Sequence, residues 1–326
     1  MQAIKLNQSF ITRIMRDMRK KSLTVALLFC VYASLWTAGS HAQSNRDTAS
    51  PGTQVILLGA GTPYPDPKAA GPATAVVIGK RVFLFDAGVG VMRQVNAAGL
   101  PISGPEAAFI THLHSDHTLG YADLILTSWI MRRSSPFAVY GPHGLRRMTQ
   151  LLLAAYAEDI HVRTYGLERE VAGGYRVNVH EIGRGVVYER EGVRVTAIPV
   201  PHGSWKEAYA YRIDTPDRSV VISGDTSPSE ALVRASVGVD VLAHEVYSPI
   251  HLAPEDRPGG KYWPQYMREF HTSDVELGAL AARIKPRLLL LTHIIRFGSS
   301  DQDLVAGVRR GGFNGDVVVG KDLGRY

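Results

Sequence analysis

Several apolar runs in this chain end in a histidine or an aspartate, four of them conspicuously, and that recurrence limits the folds open to it. "AAFITH" closes on His112, "VRVTAIPVPH" on His202, "RSVVISGD" on Asp225 and "PRLLLLTH" on His293. Short runs rich in β-branched and aliphatic residues, bounded by turn formers, read as buried strands. A buried strand end is where a rigid scaffold brings side chains from distant parts of the chain to one point. Solvation explains one histidine at such an end easily and four potential ligands poorly.

Further runs of the same kind begin at Gln54: "QVILLG", "TAVVIG", "RVFLFDAG", "FAVYGP", "AYAYRIDT", "VDVLAHEV" and "DVVVG". Helical stretches fall between them, over 144–156, 229–236, 273–284 and 301–310. The alternation predicts an α/β body. "GRGVVYEREGVRV" reads as a surface hairpin, and no fixed-period repeat appears.

The first of the four runs leads into "THLHSDHTLG", which holds His112, His114, Asp116 and His117. In an extended segment the i, i+2 spacing puts His112 and His114 on one side, and a helix opening directly afterwards presents Asp116 and His117. One short stretch can thus serve two metals side by side. Imidazole with carboxylate suits Zn²⁺, with Fe or Mn as alternatives. Two such cations sharing a water lower its pKa and neutralise charge at the centre under attack.

H-x-H-x-D-H, a later histidine, a Gly-Asp pair and a histidine after an apolar strand resemble the metallo-β-lactamase superfamily. The resemblance implies an αββα four-layer sandwich with a dinuclear zinc site between its sheets. It implies His112, His114 and His202 on one metal, Asp116, His117 and His293 on the other, Asp225 bridging, and Asp116 also orienting the nucleophile. Many true β-lactamases carry a cysteine at the bridging position. The only cysteine here is Cys30, so antibiotic hydrolysis is disfavoured.

"VILLGAGTPYPDP", "AHEVYS" and "FHTSDVELGALA" resemble segments of the tRNase Z branch. That likeness implies a proton donor, His271, held by Glu245; a carboxylate partner raises imidazole basicity and fixes its tautomer. Ser273 or Thr272 is the expected N-cap of the following helix. The long tRNA-gripping arm of that branch has no counterpart, because 202 to 225 leaves room only for two strands and a turn at "DTPDR". "PDPKAAGPA" supplies Lys68 but no arginine. "LGAGTPYPDPKAAGPATAVV", "VYGPHG", "HEVY" and "GKDLGRY" resemble exported arylsulfatases of the same superfamily. Trp205, Tyr247, Trp263 and Tyr266 are candidate contacts for an aryl or nucleobase leaving group. His143 reads as a turn residue rather than a ligand, and the Arg pairs at 132 and 309 as solvated charge.

The N-terminal region has a basic run ending at Lys21, an apolar run from Leu23 to Trp36 and the small-x-small triplet Ser40-His41-Ala42. This pattern predicts an export signal over 1–42, a polar spacer over 43–52 and the hydrolase domain over 53–326. A membrane anchor is the alternative, for which the run is short; translation starting at Met15 or Met18 would shorten the leader. The leader holds six of 36 Lys and Arg and one of 30 Asp and Glu, so 43–326 carries 30 − 29, a net +1. That near-neutrality disfavours a long polyanionic substrate, and without Cys30 the mature chain has no thiol.

The expected activity is therefore that of a periplasmic or secreted hydrolase of small sulfate or phosphate esters, acting on a small anionic substrate. No nucleic-acid partner and no stable membrane association after cleavage are expected, and a homodimer follows from the resembling branch. Hydrolysis of lactones or other carboxylic esters and amides is the alternative. tRNA 3′ processing and non-catalytic metal binding stand behind it.

Overall fold

Burial along the first strand shows why the fold is layered. In β1 (Gln54–Gly59) Val55 and Leu57 point one way, Ile56 and Leu58 the other, and all four are fully buried. A strand covered on both faces lies between two layers. The computed structural model describes residues 52–326; the expected leader and residues 43–51 of the spacer lie outside the described residues.

The first sheet runs β1, β2 (Ala73–Ile78), β3 (Arg81–Phe85), β4 (Ala107–Phe109), β5 (Phe137–Gly141), β6 (Val177–Glu181), in that spatial order. Its first pairs are antiparallel and those from β3 onward parallel. The second sheet holds β7 (Gly185–Arg190), β8 (Val193–Pro199), β9 (Tyr209–Asp214), β10 (Ser219–Ile222), β11 (Val241–Tyr247), β12 (Leu288–Ile295) and β13 (Asp316–Val319), also in sequence order. It is an antiparallel meander to β10 and parallel beyond.

Helices α1 (Val91–Ala97), α2 (Ser115–Thr118), α3 (Tyr121–Ile130), α4 (Leu145–Ala155) and α5 (Ala157–Tyr165) follow strands of the first sheet, and α1, α3, α4 and α5 pack on its outer face. Helices α6 (Glu230–Ser236), α7 (Trp263–Phe270), α8 (Asp274–Ile284) and α9 (Asp301–Arg310) belong to the second half, with α6, α8 and α9 covering the second sheet. Between the sheets lies a core that includes Phe83, Phe85, Phe109 and Tyr211. Phe109 stacks on Phe85 and on Tyr140 at 5.0 Å each. The four layers are the αββα sandwich expected from the sequence.

The four expected helices form, and Ser273 and Ser300 head α8 and α9 with reciprocal capping boxes, each satisfying orphan donors of the first turn. The expected hairpin is β7–β8. Strand β6 was not foreseen, because it is an edge strand in which only Val179 is buried. Helix α3 was missed because six of its ten residues are buried, which erases the one-sided pattern that announces a surface helix. Between His202 and Asp225 the chain makes only β9, a turn closed by Thr215 N–H donating to Arg218 O, and β10.

Candidate metal centre

Strand ends from both sheets meet at one edge of the sandwich. His112 follows β4, and His114 to His117 run from that loop into α2. His202 follows β8, and Asp225 follows β10 after Gly224, whose φ is +57°. His293 departs from the expected placement: it lies inside β12, not past its end. There the pairing with β11 skips from Thr292 to Ile294, so His293 is the extra residue of a bulge, with φ +43°. A bulge re-aims a side chain without ending the strand.

The ligand atoms converge in three overlapping groups: His112, His114, His202 and Asp225; Asp116, His117 and His293; and Asp225, His271 and His293. Asp225 belongs to two of them. His112 Nε2 and His202 Nε2 stand 2.9 and 3.1 Å from His114 Nδ1. His293 Nε2 is 3.2 Å from Asp116 Oδ2 and 3.5 Å from Asp225 Oδ2.

The outer hydrogen bonds decide which ring nitrogens carry lone pairs. His202 Nδ1–H donates to the Phe270 carbonyl at 2.7 Å, and His117 Nδ1–H to Asp86 Oδ2 at 2.8 Å. Thr111 Oγ1–H donates to Asp86, so it accepts from His112 Nδ1–H at 3.0 Å. The Nε2 atoms of His112, His117 and His202 are therefore acceptors, all turned inward. Buried lone pairs facing one another and facing carboxylates repel unless a proton or cation stands between them. Buried His117 Nε2 and Asp225 Oδ1 have no hydrogen-bond partner among the described residues. This donor set fits hard-to-borderline divalent cations such as zinc.

The electrostatics agree. Burial, then the neighbouring His117, holds His112 well below the ordinary imidazole range, and burial pushes His202 down to about 4. Both are the neutral rings a metal requires. Burial opposes charge on His117 as well, but Asp225 and Asp86 outweigh it and raise this imidazole well above its usual range. Positive charge is wanted at that position.

Asp86 went unnoticed in the sequence. It immediately follows β3, takes φ +61°, and receives Thr111 N–H at 2.8 Å as well as His117. An aspartate ending an apolar run was the available signal, the same one that exposed Asp225. Trp205 is also brought to the site, donating its indole N–H to His114 Nε2 at 2.7 Å.

Glu245 is buried in β11 and accepts from Thr226 N–H at 2.9 Å and from His271 Nδ1–H at 3.1 Å. His271 caps the C-terminus of α7. A cavity of about 1060 Å³ opens over these residues, lined by His114, Asp116, Asp225, His271 and His293 and by Trp263, Tyr266 and Phe297. Tyr247 is buried beneath α8 and does not line it. His143 is exposed, pairs with Glu207 at 2.7 Å and belongs to none of the ligand groups.

A family profile described as "Beta-lactamase superfamily domain" matches residues 81–294. Ribonuclease Z of Mycobacterium bovis is 31% identical over 278 residues, covering 83% of this chain and 97% of that protein. Two solved structures share the fold. The metallo-β-lactamase fold protein YhfI of Bacillus subtilis has a TM-score of 0.64 at 19% identity, over 84% of this chain and 98% of that one. The short form of human tRNase Z has a TM-score of 0.61 at 22% identity, over 84% and 98%. With this fold and buried His/Asp cluster, the chain belongs to the metallo-β-lactamase superfamily and is a metal-dependent hydrolase. Within it, the chain stands in the ribonuclease Z-like branch.

Proposed function

We propose that this chain hydrolyses small phosphate diesters or sulfate esters, in the periplasm or outside the cell. The observation that carries the reading is the buried Glu245–His271 pair, 3.1 Å apart, beside the ligand cluster and at the wall of a 1060 Å³ cavity. Two divalent cations, zinc by the chemistry of the donors, would supply an acidified water and neutralise charge on the ester. Asp116 accepts a hydrogen bond from the attacking water and aims it. Glu245 fixes His271 with Nδ1–H turned inward, leaving Nε2–H to give its proton to the departing ester oxygen. A planar carboxylic ester with a good leaving group has little use for this donor.

The 31% identity to ribonuclease Z favours a second reading, action on RNA. Against it stand the turn joining β9 directly to β10, with no arm there, and a net charge of only +1 over 43–326. A screen of zinc-loaded protein against aryl sulfates, bis-aryl phosphates, cyclic nucleotides, lactones and a precursor tRNA separates these readings. Turnover of a small sulfate or phosphate ester is expected. Faster turnover of lactones, or cleavage confined to the tRNA, would replace our assignment.

A further inference from the structure

The aromatic wall of the cavity is stacked upon itself. Trp263 lies 5.1 Å from Tyr266 at an interplanar angle of 4°, and Tyr266 lies 4.2 Å from Phe270 at 21°. Trp263 and Phe270 are two helical turns apart, roughly 10 Å along the axis, so they take opposite faces of Tyr266. The column is closed at both ends. The Arg257 guanidinium sits 5.0 Å from the Trp263 centroid, and Gly203 runs so close to Phe270 that a β-carbon there would meet the ring at 2.1 Å. An aryl group entering the cavity therefore meets ring edges, and Tyr266, a candidate contact for such a group, has no free face for it to stack on.

What Tyr266 does present is its hydroxyl. The residue lines the cavity together with Asp116, Asp225 and His271, and its ring centroid is 5.8 Å from that of His271. Its hydroxyl makes no hydrogen bond to any described residue, whereas the buried phenols of Tyr121 and Tyr211 both do. A half-buried phenol without a protein partner is satisfied by water or by ligand. Its position is also held firmly: Phe270, the last residue of the same helix, accepts from the ligand His202 through its carbonyl. Side chains placed by such a shell are suited to recognition.

Resting on the ester-hydrolase reading above, we propose that the Tyr266 hydroxyl donates a hydrogen bond to a non-bridging oxygen of the tetrahedral phosphate or sulfate centre, selecting such esters over planar carbonyl substrates. The donor sits on the same helix as the backbone turn that leads into His271, so one element reads the non-bridging oxygen and serves the leaving one.

The test compares zinc-loaded full-length protein with Tyr266→Phe, which keeps the ring column and removes the hydroxyl. Substrates are an unsymmetrical bis-aryl phosphate, prochiral at phosphorus, and both enantiomers of its phosphorothioate, in which sulfur, a poor acceptor, replaces one non-bridging oxygen. Inorganic phosphate binding is measured by calorimetry. We expect about a 10- to 100-fold fall in kcat/KM on the oxygen ester, the range for losing one hydrogen bond to a charged group, unchanged zinc content, a smaller penalty for sulfur with at least one enantiomer, and weaker phosphate binding. Equal losses on oxygen and sulfur esters, or unaltered rates and phosphate affinity, would overturn the proposal. Should the native protein turn over no ester, the reading above fails, and phosphate affinity alone decides this one: weaker in Tyr266→Phe it stands, equal it falls.

Discussion

His117 Nε2 faces Asp225 Oδ1 across 3.3 Å, and neither atom has a hydrogen-bond partner among the described residues. Because His117 gives its other ring proton to Asp86, this pair is a lone pair opposed to a carboxylate inside the protein. The arrangement persists only with positive charge between the two atoms. Asp225 also reaches the group formed by His112, His114 and His202, so one carboxylate belongs to two of the candidate ligand groups.

Asp225→Asn keeps the shape and removes the negative charge. Metal content after dialysis should drop from about two ions per chain to one or none, with hydrolysis falling in parallel. Elemental analysis checks this; a variant that retains both ions would show that Asp225 does not bridge.

Asp86 orients without ligating. Its carboxylate is buried and fixes the tautomer of His117 while holding Thr111 at the end of β4. Outer partners of this kind typically change metal affinity by about 10- to 100-fold. Asp86→Asn should weaken zinc binding by that order, measured by competition with a chromogenic chelator, and leave the far-UV spectrum unaltered. Affinity equal to the native protein's would reduce Asp86 to a structural aspartate.

The convergence was legible in the sequence because the candidate ligands are few in kind and fixed in spacing: His112, His114, Asp116 and His117 lie within six residues, and the rest end conspicuous apolar runs. The bulge that aims His293 was not legible, since it arises from a register shift between β11 and β12. Nor was the stacking of Trp263, Tyr266 and Phe270, because α7 has no N-terminal side-chain cap to announce it. Asp86 and Trp205 act through contacts with residues far off in sequence, and no local pattern encodes those.

The Glu245–His271 pair predicts a leaving-group signature. His271→Ala should slow esters with poor leaving groups far more than those with good ones, and equal losses would remove the acid role. Burial alone would lower the His271 pKa, but the Glu245 carboxylate outweighs it and holds the imidazole above its ordinary range. The acid form is thus present below the raised value and is lost as pH rises through it. Glu245→Gln removes the carboxylate, so the descending limb of the pH–rate profile should move to lower pH. A limb that stays in place would assign it to another group.

Gly224 ties the second sheet to the ligands, and its replacement separates backbone strain from site geometry. Its φ is +57°, and a β-carbon there would stand 2.8 Å from Thr111 Cβ and 2.9 Å from the Tyr209 carbonyl. Gly79, in the β2–β3 turn, has φ +60° but nothing within 4 Å. Both alanine variants bear the left-handed backbone term, roughly 1 kcal/mol. Only Gly224→Ala must also displace Thr111, which anchors Asp86 and accepts from His112. Gly79→Ala should therefore lower Tm by a few degrees with normal zinc content, whereas Gly224→Ala should lower Tm further and lose zinc. Matching losses in both variants, read by calorimetric melting and elemental analysis, would show that the loop carrying Asp225 adapts without disturbing the centre.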